Sequence, residues 1–362
     1  MDLNNITQEV ATKDQRELPL YFPPPIYYSL YAAVRLSILL AYPHTHEWFY
    51  SNFIQLHFED HLSLNPKSTD HGLNIFPIEY MKSWYYAGAT LFLQEKLIDD
   101  KIMAIDRKTL IPLMINWIEK GFYVISRVDV SKLPGTKYYR DKPLAHTVVF
   151  YGYDLQKKIF KHFDFNEQGN LVIIEVKFDD YQAAFFSEQL LDLLKAKRMN
   201  SKFHISLCNV KSSVKYQLDK ECIKSLLHDY RYSVNTTKRY NLFIPEAKGV
   251  YGMSVYDAMI KFTEASVQKI QEIDFRAFHA LYEHKKVMVA RLKHLEKLGV
   301  IDLSLQLSDK FSRIEELTSQ LRTKVLRYLV VKDYELVNEI KASLKYICDQ
   351  EIPVIDEIIA GL

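Results

Sequence analysis

Cysteine is scarce in this chain: of 362 residues, only Cys208, Cys222 and Cys348 carry a thiol. An odd, widely separated set excludes both the paired spacing of a zinc site and the density of a secreted disulfide scaffold, so a reducing cytoplasm is the expected compartment. Glycine and proline are few as well, 10 and 12, which excludes a collagenous chain or one built from flexible linkers. Neither sign of charge is in excess. Lys and Arg total 47 against 45 Asp and Glu, too even a balance for the long-range attraction of a dedicated nucleic-acid binder, so no nucleic-acid partner is expected. The longest apolar run, IYYSLYAAVRLSILLAY at 26–42, carries Arg35 near its middle. It falls short of the roughly 20 residues that span a bilayer, so it reads as a buried core helix and no membrane partner is expected. The opening MDLNNITQEVATKDQRELPLYF has acidic residues and no apolar core, unlike a secretory signal. Phosphate-loop, dinucleotide-binding and HExxH patterns are missing too, so nucleotide-driven and metalloprotease chemistry have no anchor and no cofactor is expected.

What is present is the patterning of a folded protein. Hydrophobic residues make up 48% of the chain, enough for a sizeable core, and the length suggests two domains. Strand patterning clusters in the front part. FYVISRVDV at 122–130 alternates apolar and polar positions, and HTVVFYGYD (146–154), KKIFKHFDF (157–165) and LVIIEVKF (171–178) follow it. The connections around 155–157 and at 166–170 are short, so these strands should pair in sequence as an antiparallel meander. FHISLCNV at 203–210 adds a further strand. Three prolines at 23–25 precede a helix expected to start near Ile26, a second helix is expected from Glu47 to Phe58, and a third from Leu110 to Lys120, closed by Gly121. After residue 215 helical spacing takes over: Phe278, Leu281, Met288, Leu292, Leu295, then Phe311 to Tyr328, then Leu336 to Ile347. An antiparallel helical bundle is expected there, with Gly299 and Asp333 as stop and start signals.

Two groups of residues bear on chemistry. His44, His46 and Glu47, or His57 and His61, have spacings compatible with metal ligands, but no carboxylate or thiol set completes them, and surface histidines are the preferred reading; no metal is expected. His146 is a better candidate, because it begins one strand while Asp164 ends the strand paired with it across a hairpin. An imidazole held by a carboxylate is fixed in one tautomer and made a better base, the usual support for acyl-transfer chemistry.

The stretches LIPLMINWIEKGFYVISRVDV (110–130) and LAHTVVFYGYDLQKKIFKHFDF (144–165) resemble the papain-like fold of bacteriocin-processing cysteine peptidases. They resemble the butirosin-biosynthesis acyltransferase group more closely. The resemblance covers about residues 20–210, with a weaker echo in VYGMSVYDAMIKF (250–262). It rests on a helix ending in Gly before a strand, and on a His-initiated strand whose Gly-Tyr-Asp turn leads to a strand ending in Asp. It implies His146 as base, Asp164 as orienting partner, and a role in making a peptide-like or aminoglycoside-like secondary metabolite.

The sequence departs from that pattern at the nucleophile. The family's cysteine opens the central helix, where the helix dipole favours a thiolate, but here the segment reads IYYSLYAAV, with Tyr28 or Ser29 at the equivalent position. Two routes remain open: Ser29 accepting the acyl group, or His146 deprotonating an amine that attacks an activated carrier-protein thioester directly. Tyr27, Tyr28, Tyr31, Trp48 to Tyr50 and Trp84 to Tyr86 are candidates for an aromatic substrate cleft, with Glu47 beside them, although core packing is the commoner fate of such residues. The basic run Lys285, Lys286, Arg291, Lys293, His294 and Lys297 could meet an acidic carrier protein, against the commoner reading of a solvated helix face.

The expected fold is therefore α+β: an N-terminal tail (1–20), a papain-like antiparallel sheet with a central helix (21–212), and a helical domain (213–362). The expected activity is acyl or peptidyl transfer, or cyclisation, without a cysteine nucleophile; the alternative is a non-catalytic scaffold of the same fold. Candidate partners are an acyl or peptidyl carrier protein, a small-molecule or peptide substrate, and a second copy of the chain as a homodimer.

Overall fold

A computed structural model of the chain describes residues 13–58, 73–76, 92–98, 103, 105–196, 205–240, 249–267 and 273–362. The strands in chain order are β1 (Gln15–Glu17), β2 (Gln55–Phe58), β3 (Leu73–Phe76), β4 (Leu93–Ile98), β5 (Tyr123–Asp129), β6 (Ala145–Asp154), β7 (Ile159–Phe165), β8 (Leu171–Lys177), β9 (Ile205–Val210) and β10 (Val250–Tyr251). The helices are α1 (Leu30–Leu39), α2 (His46–Ser51), α3 (Leu110–Glu119), α4 (Phe178–Phe185), α5 (Leu190–Ala196), α6 (Lys220–Arg231), α7 (Val255–Val267), α8 (Phe275–Lys297), α9 (Leu307–Val331) and α10 (Glu335–Gly361). The class is α+β with a large antiparallel sheet. No described helix is long and apolar enough to cross a membrane.

The chain forms two compact units. The first takes the described residues of Met1–Pro24, Val34–Pro43 and Thr90–Val214; the second takes those of Pro25–Ala33, His44–Ala89 and Lys215–Leu362. Beside the expected boundary at 212/213 lies a crossing at 214/215, but Pro25–Ala33 and His44–Ala89, expected in the front domain, go with the second unit. The reason is where their backbone bonds go: β2 pairs with β3 on one side and β10 on the other, forming a separate three-stranded sheet.

In the first unit the sheet runs β4-β9-β5-β6-β7-β8, with β1 also paired to β6. Strands β5 to β8 form the expected meander. Its second turn closes through Asn166, whose amide bonds the Asn170 carbonyl at 2.9 Å. Helix α3 ends as its sequence suggests. Gly121 has φ +84°, its amide bonds the Ile118 carbonyl, and the Phe122 amide bonds the Trp117 carbonyl, each at 3.0 Å; only glycine takes that left-handed position without cost. Two expectations need correction. Residues 15–17 of the supposed tail form β1, and Gly152-Tyr153-Asp154 stays in strand, pairing with β1, instead of turning. Glycine is required at 152 because a Cβ there would lie 2.8 Å from the Arg16 carbonyl oxygen. Arg35, buried on α1, meets Glu95 at 3.4 Å, and Glu95 also accepts the Ser206 hydroxyl at 2.7 Å. The charge inside the apolar run is thus compensated by pairing.

In the second unit, the helix expected over Glu47–Phe58 stops at Ser51. Asn52 is extended, Phe53 has φ +58°, and residues 55–58 are β2. Helix α1 begins at Leu30 and not near Ile26; ahead of it the amides of Tyr27 and Tyr28 donate to the Glu283 carboxylate at 2.8 and 3.0 Å. The long helices α8, α9 and α10 pack on one another in succession, and the expected apolar stripes are buried, Leu317 being half-buried. Gly299 (φ +69°) ends α8, and the Asp333 carboxylate accepts the Glu335 amide at 3.0 Å to start α10. The basic run on α8 is solvated only in part: Lys293 and Lys297 are exposed, and Lys286 and His294 are half-buried. Lys285 and Arg291 are fully buried, as are Glu283 and His284, because α8 packs against β3 as well as α9. Arg291 bonds the carbonyls of Tyr50 (2.8 Å) and Asn52, and Lys285 bonds both oxygens of Glu351 at 2.7 and 2.8 Å.

Candidate functional site

His146 and Asp164 lie in the first unit on adjacent strands. Phe150 on β6 faces His162 on β7, and the two-residue alternation of strands puts His146, Val148 and Phe150 on the face that carries His162 and Asp164. His146 Nδ1 stands 3.9 Å from Asp164 Oδ2, with the imidazole 30% exposed and the carboxyl 7%. This separation exceeds a direct hydrogen bond but leaves the two groups in electrostatic contact. The Phe165 amide donates to Asp164 Oδ1 at 2.7 Å. Burial nevertheless dominates and pushes the carboxyl up to about 7, against that amide. The arrangement is a reachable imidazole backed by a sheltered acid that titrates near neutrality, and it can accept a proton and hold the resulting charge.

His162 was not singled out from the sequence. It is fully buried against the Phe150 ring, centroids 5.5 Å apart, and burial lowers it to about 4. It stays neutral and forms the floor of this face. Its signal was the same strand alternation that marked Asp164. Asp129, on the neighbouring strand, is also fully buried. Burial works to raise its carboxyl, but the amides and hydroxyls of Leu144, Ser131 and Ser187 outweigh it and keep the group below its usual range. Asp129 is an ionised brace for the turn after β5, bonding the Leu144 amide at 3.0 Å and the Ser187 hydroxyl at 2.8 Å.

The other candidates fall in the second unit. Ser29 immediately precedes α1, and its carbonyl accepts the Ala33 amide at 3.0 Å, so it stands at a helix N-terminus and is half-buried. Tyr28 is buried and its hydroxyl accepts the Ile75 amide at 3.1 Å. Trp48 is fully buried against Phe53. Both side chains are buried, as core packing would have them. Tyr27 remains half-buried, its ring 4.9 Å from that of His279. Glu47 is partly exposed and pairs with His294 at 3.1 Å. Trp84, Tyr85, Tyr86 and His61 lie outside the described residues.

Cys208 and Cys348 lack the environment of a nucleophile. Cys208 is buried and its thiol is pushed up to about 12, by burial first and then by Glu95; Cys348 rises to about 11, again mainly through burial. Among the described residues no three His, Cys, Asp or Glu side chains gather as a metal-ligand set. No protein-family model matches the chain, and no curated protein matches it in sequence.

Proposed function

We propose that the chain is an acyl- or peptidyl-transfer enzyme of secondary-metabolite assembly, or a cyclase running the same chemistry within one substrate. Its first unit would be a papain-like domain that has dispensed with the family's thiol. The observation carrying this reading is the 3.9 Å approach of His146 to Asp164, with the imidazole open on one side. The acyl donor is a carrier-protein thioester, already activated. His146 takes a proton from the attacking amine as its nitrogen bonds the thioester carbonyl. The carbon–sulfur bond then breaks, and the carrier thiol leaves with the proton that His146 returns. Asp164, once ionised above about pH 7, stabilises the imidazolium in between. No covalent enzyme intermediate is needed, which agrees with the high-pKa thiols of Cys208 and Cys348.

The same thiols favour a second reading, a binding scaffold for a carrier protein. Incubating the full chain with an acyl-carrier thioester and a primary amine, followed by intact-mass analysis, separates the two. Transfer gives an amide and a free carrier thiol, hydrolysis gives a free acid, and a scaffold leaves both substrates unchanged. Transfer should fall at least about a hundredfold in His146→Ala and persist in Ser29→Ala. Full activity in His146→Ala overturns the role of the imidazole; loss in Ser29→Ala with an acylated parent enzyme replaces direct attack by an acyl-serine route.

A further inference from the structure

Within the second unit, α8 and α9 bring together a group of side chains that the transfer reading does not use. Arg322 on α9 donates from one terminal nitrogen to His279 Nδ1 at 3.3 Å, and its guanidinium carbon lies 4.8 Å from the centroid of the Tyr282 ring. Its Nε is shielded from solvent and has no hydrogen-bond partner. No described carboxylate forms an ion pair with it. Glu283, an acid of the cluster, is already committed: it accepts the amides of Tyr27 and Tyr28 and faces His279 Nε2 at 3.2 Å.

The protonation pattern follows from these contacts. A guanidinium only donates, so His279 Nδ1 is an acceptor and its proton sits on Nε2, toward Glu283. The imidazole stands between the acid and the arginine, and among the described residues no carboxylate forms an ion pair with the guanidinium. Aromatic rings surround them: Phe275 stacks on His279 at 5.8 Å, Tyr27 packs on the same ring, and Tyr282 carries a second cation, Lys286, 5.7 Å from its centroid. Two cations and three aromatic rings gather at one histidine, Glu283 is spent on backbone amides, and the Arg322 Nε has no hydrogen-bond partner, an arrangement suited to an anion.

We propose that this cluster binds the oxyanion group of a ligand, a carboxylate or a phosphate, held by the paired N–H donors of Arg322 and flanked by the Tyr282 and Tyr27 rings. A planar guanidinium matches either anion in a two-bond fork, and its stacking on Tyr282 holds that fork in place. The proposal stands independently of the acyl-transfer reading, since it shares no residue with the His146 and Asp164 pair.

The test uses the full chain labelled at histidine Cε1 with carbon-13, the His279 resonance being assigned from a His279→Gln variant. The chain is titrated at constant pH and ionic strength with sodium phosphate, with sodium benzoate and with sodium chloride. A saturable shift of the His279 signal with phosphate or with benzoate, and none with chloride, is expected, and the effective salt tells phosphate from carboxylate. Arg322→Gln should abolish the saturable shift. Arg322→Lys, which keeps the charge but not the fork, should weaken binding about tenfold and decides the matter if the glutamine variant fails to fold. Absence of a saturable shift with both anions, or an undiminished one in the Arg322 variants, overturns the proposal.

Discussion

At Asp164 burial favours the neutral acid, moving the carboxyl from 3.8 to about 7. Between about pH 4 and 7 the folded chain therefore holds more protons at this group than the unfolded chain does. Its contribution to stability falls as pH rises through that window. Asp164→Asn stays neutral throughout, so its stability relative to the parent should improve from pH 4 to pH 8, with a ceiling of about 4 kcal/mol set by about 1.4 kcal/mol per unit. Urea midpoints of the two chains measured across this range check it, and parallel pH dependences would contradict it. Lys285 and Glu351 solve the same problem by pairing: both are fully buried, and the hydroxyls of Tyr230 and Tyr256 also donate to Glu351, at 2.9 and 2.6 Å. Glu351→Gln leaves an ammonium buried without its counter-charge and should cost about 3–5 kcal/mol. Adding Lys285→Met should recover part of that loss in the same urea assay. None of this was legible in the sequence, where Lys285 and Glu351 stand 66 residues apart and Lys285 reads as one cation in a solvated basic run.

At the scale of elements, local signals are legible in the sequence and distant ones are not. The meander β5 to β8 announced itself through strand alternation and short connections, and α3 through Gly121, because alternation and turn chemistry are properties of neighbouring residues. The break between α2 and β2 carries no glycine or proline. It exists because β2 pairs with residues 73–76 and 250–251, contacts that no local pattern records. The segment before α1 holds a contact of the same long range, the amides of Tyr27 and Tyr28 donating to Glu283, 256 residues away from Tyr27. Glu283→Ala removes that acceptor, and stranding each buried amide should cost about 1–3 kcal/mol. Hydrogen exchange at Tyr27 and Tyr28 should then accelerate by about tenfold or more, while exchange in the β6–β7 hairpin stays unchanged; equal protection in both chains would show that Glu283 does not hold these amides. Of the candidate site, the proximity of His146 and Asp164 was legible from strand register, whereas for Tyr28 and Trp48 both cleft and core stayed open, with core the commoner fate, because aromatic side chains look alike in sequence whether they line a cleft or fill one.

For the whole molecule, the division of the chain matters more than its length. The second unit draws on residues 25–33 and 44–89 as well as the helical region, and buried groups of α8 depend on them: His284 bonds the Ile54 carbonyl at 2.8 Å, and Arg291 bonds the Tyr50 and Asn52 carbonyls. A fragment of residues 213–362, cut at the boundary suggested by the change of sequence periodicity, loses all three acceptors and the strands that cover α8. It should keep helical circular dichroism but melt without cooperativity and bind a hydrophobic dye. A sharp, two-state melt of that fragment would show that the segments before residue 90 are dispensable to it.

The central claim is that His146 and Asp164 act as one unit, and a double-mutant cycle on acyl transfer from the carrier thioester tests it most directly. Rates are compared for the parent chain, His146→Ala, Asp164→Asn and the combined variant. If the carboxyl works only through the imidazole, each single change lowers the rate and the combined variant is no slower than His146→Ala alone. Losses that multiply, or an Asp164→Asn chain as fast as the parent, would contradict it.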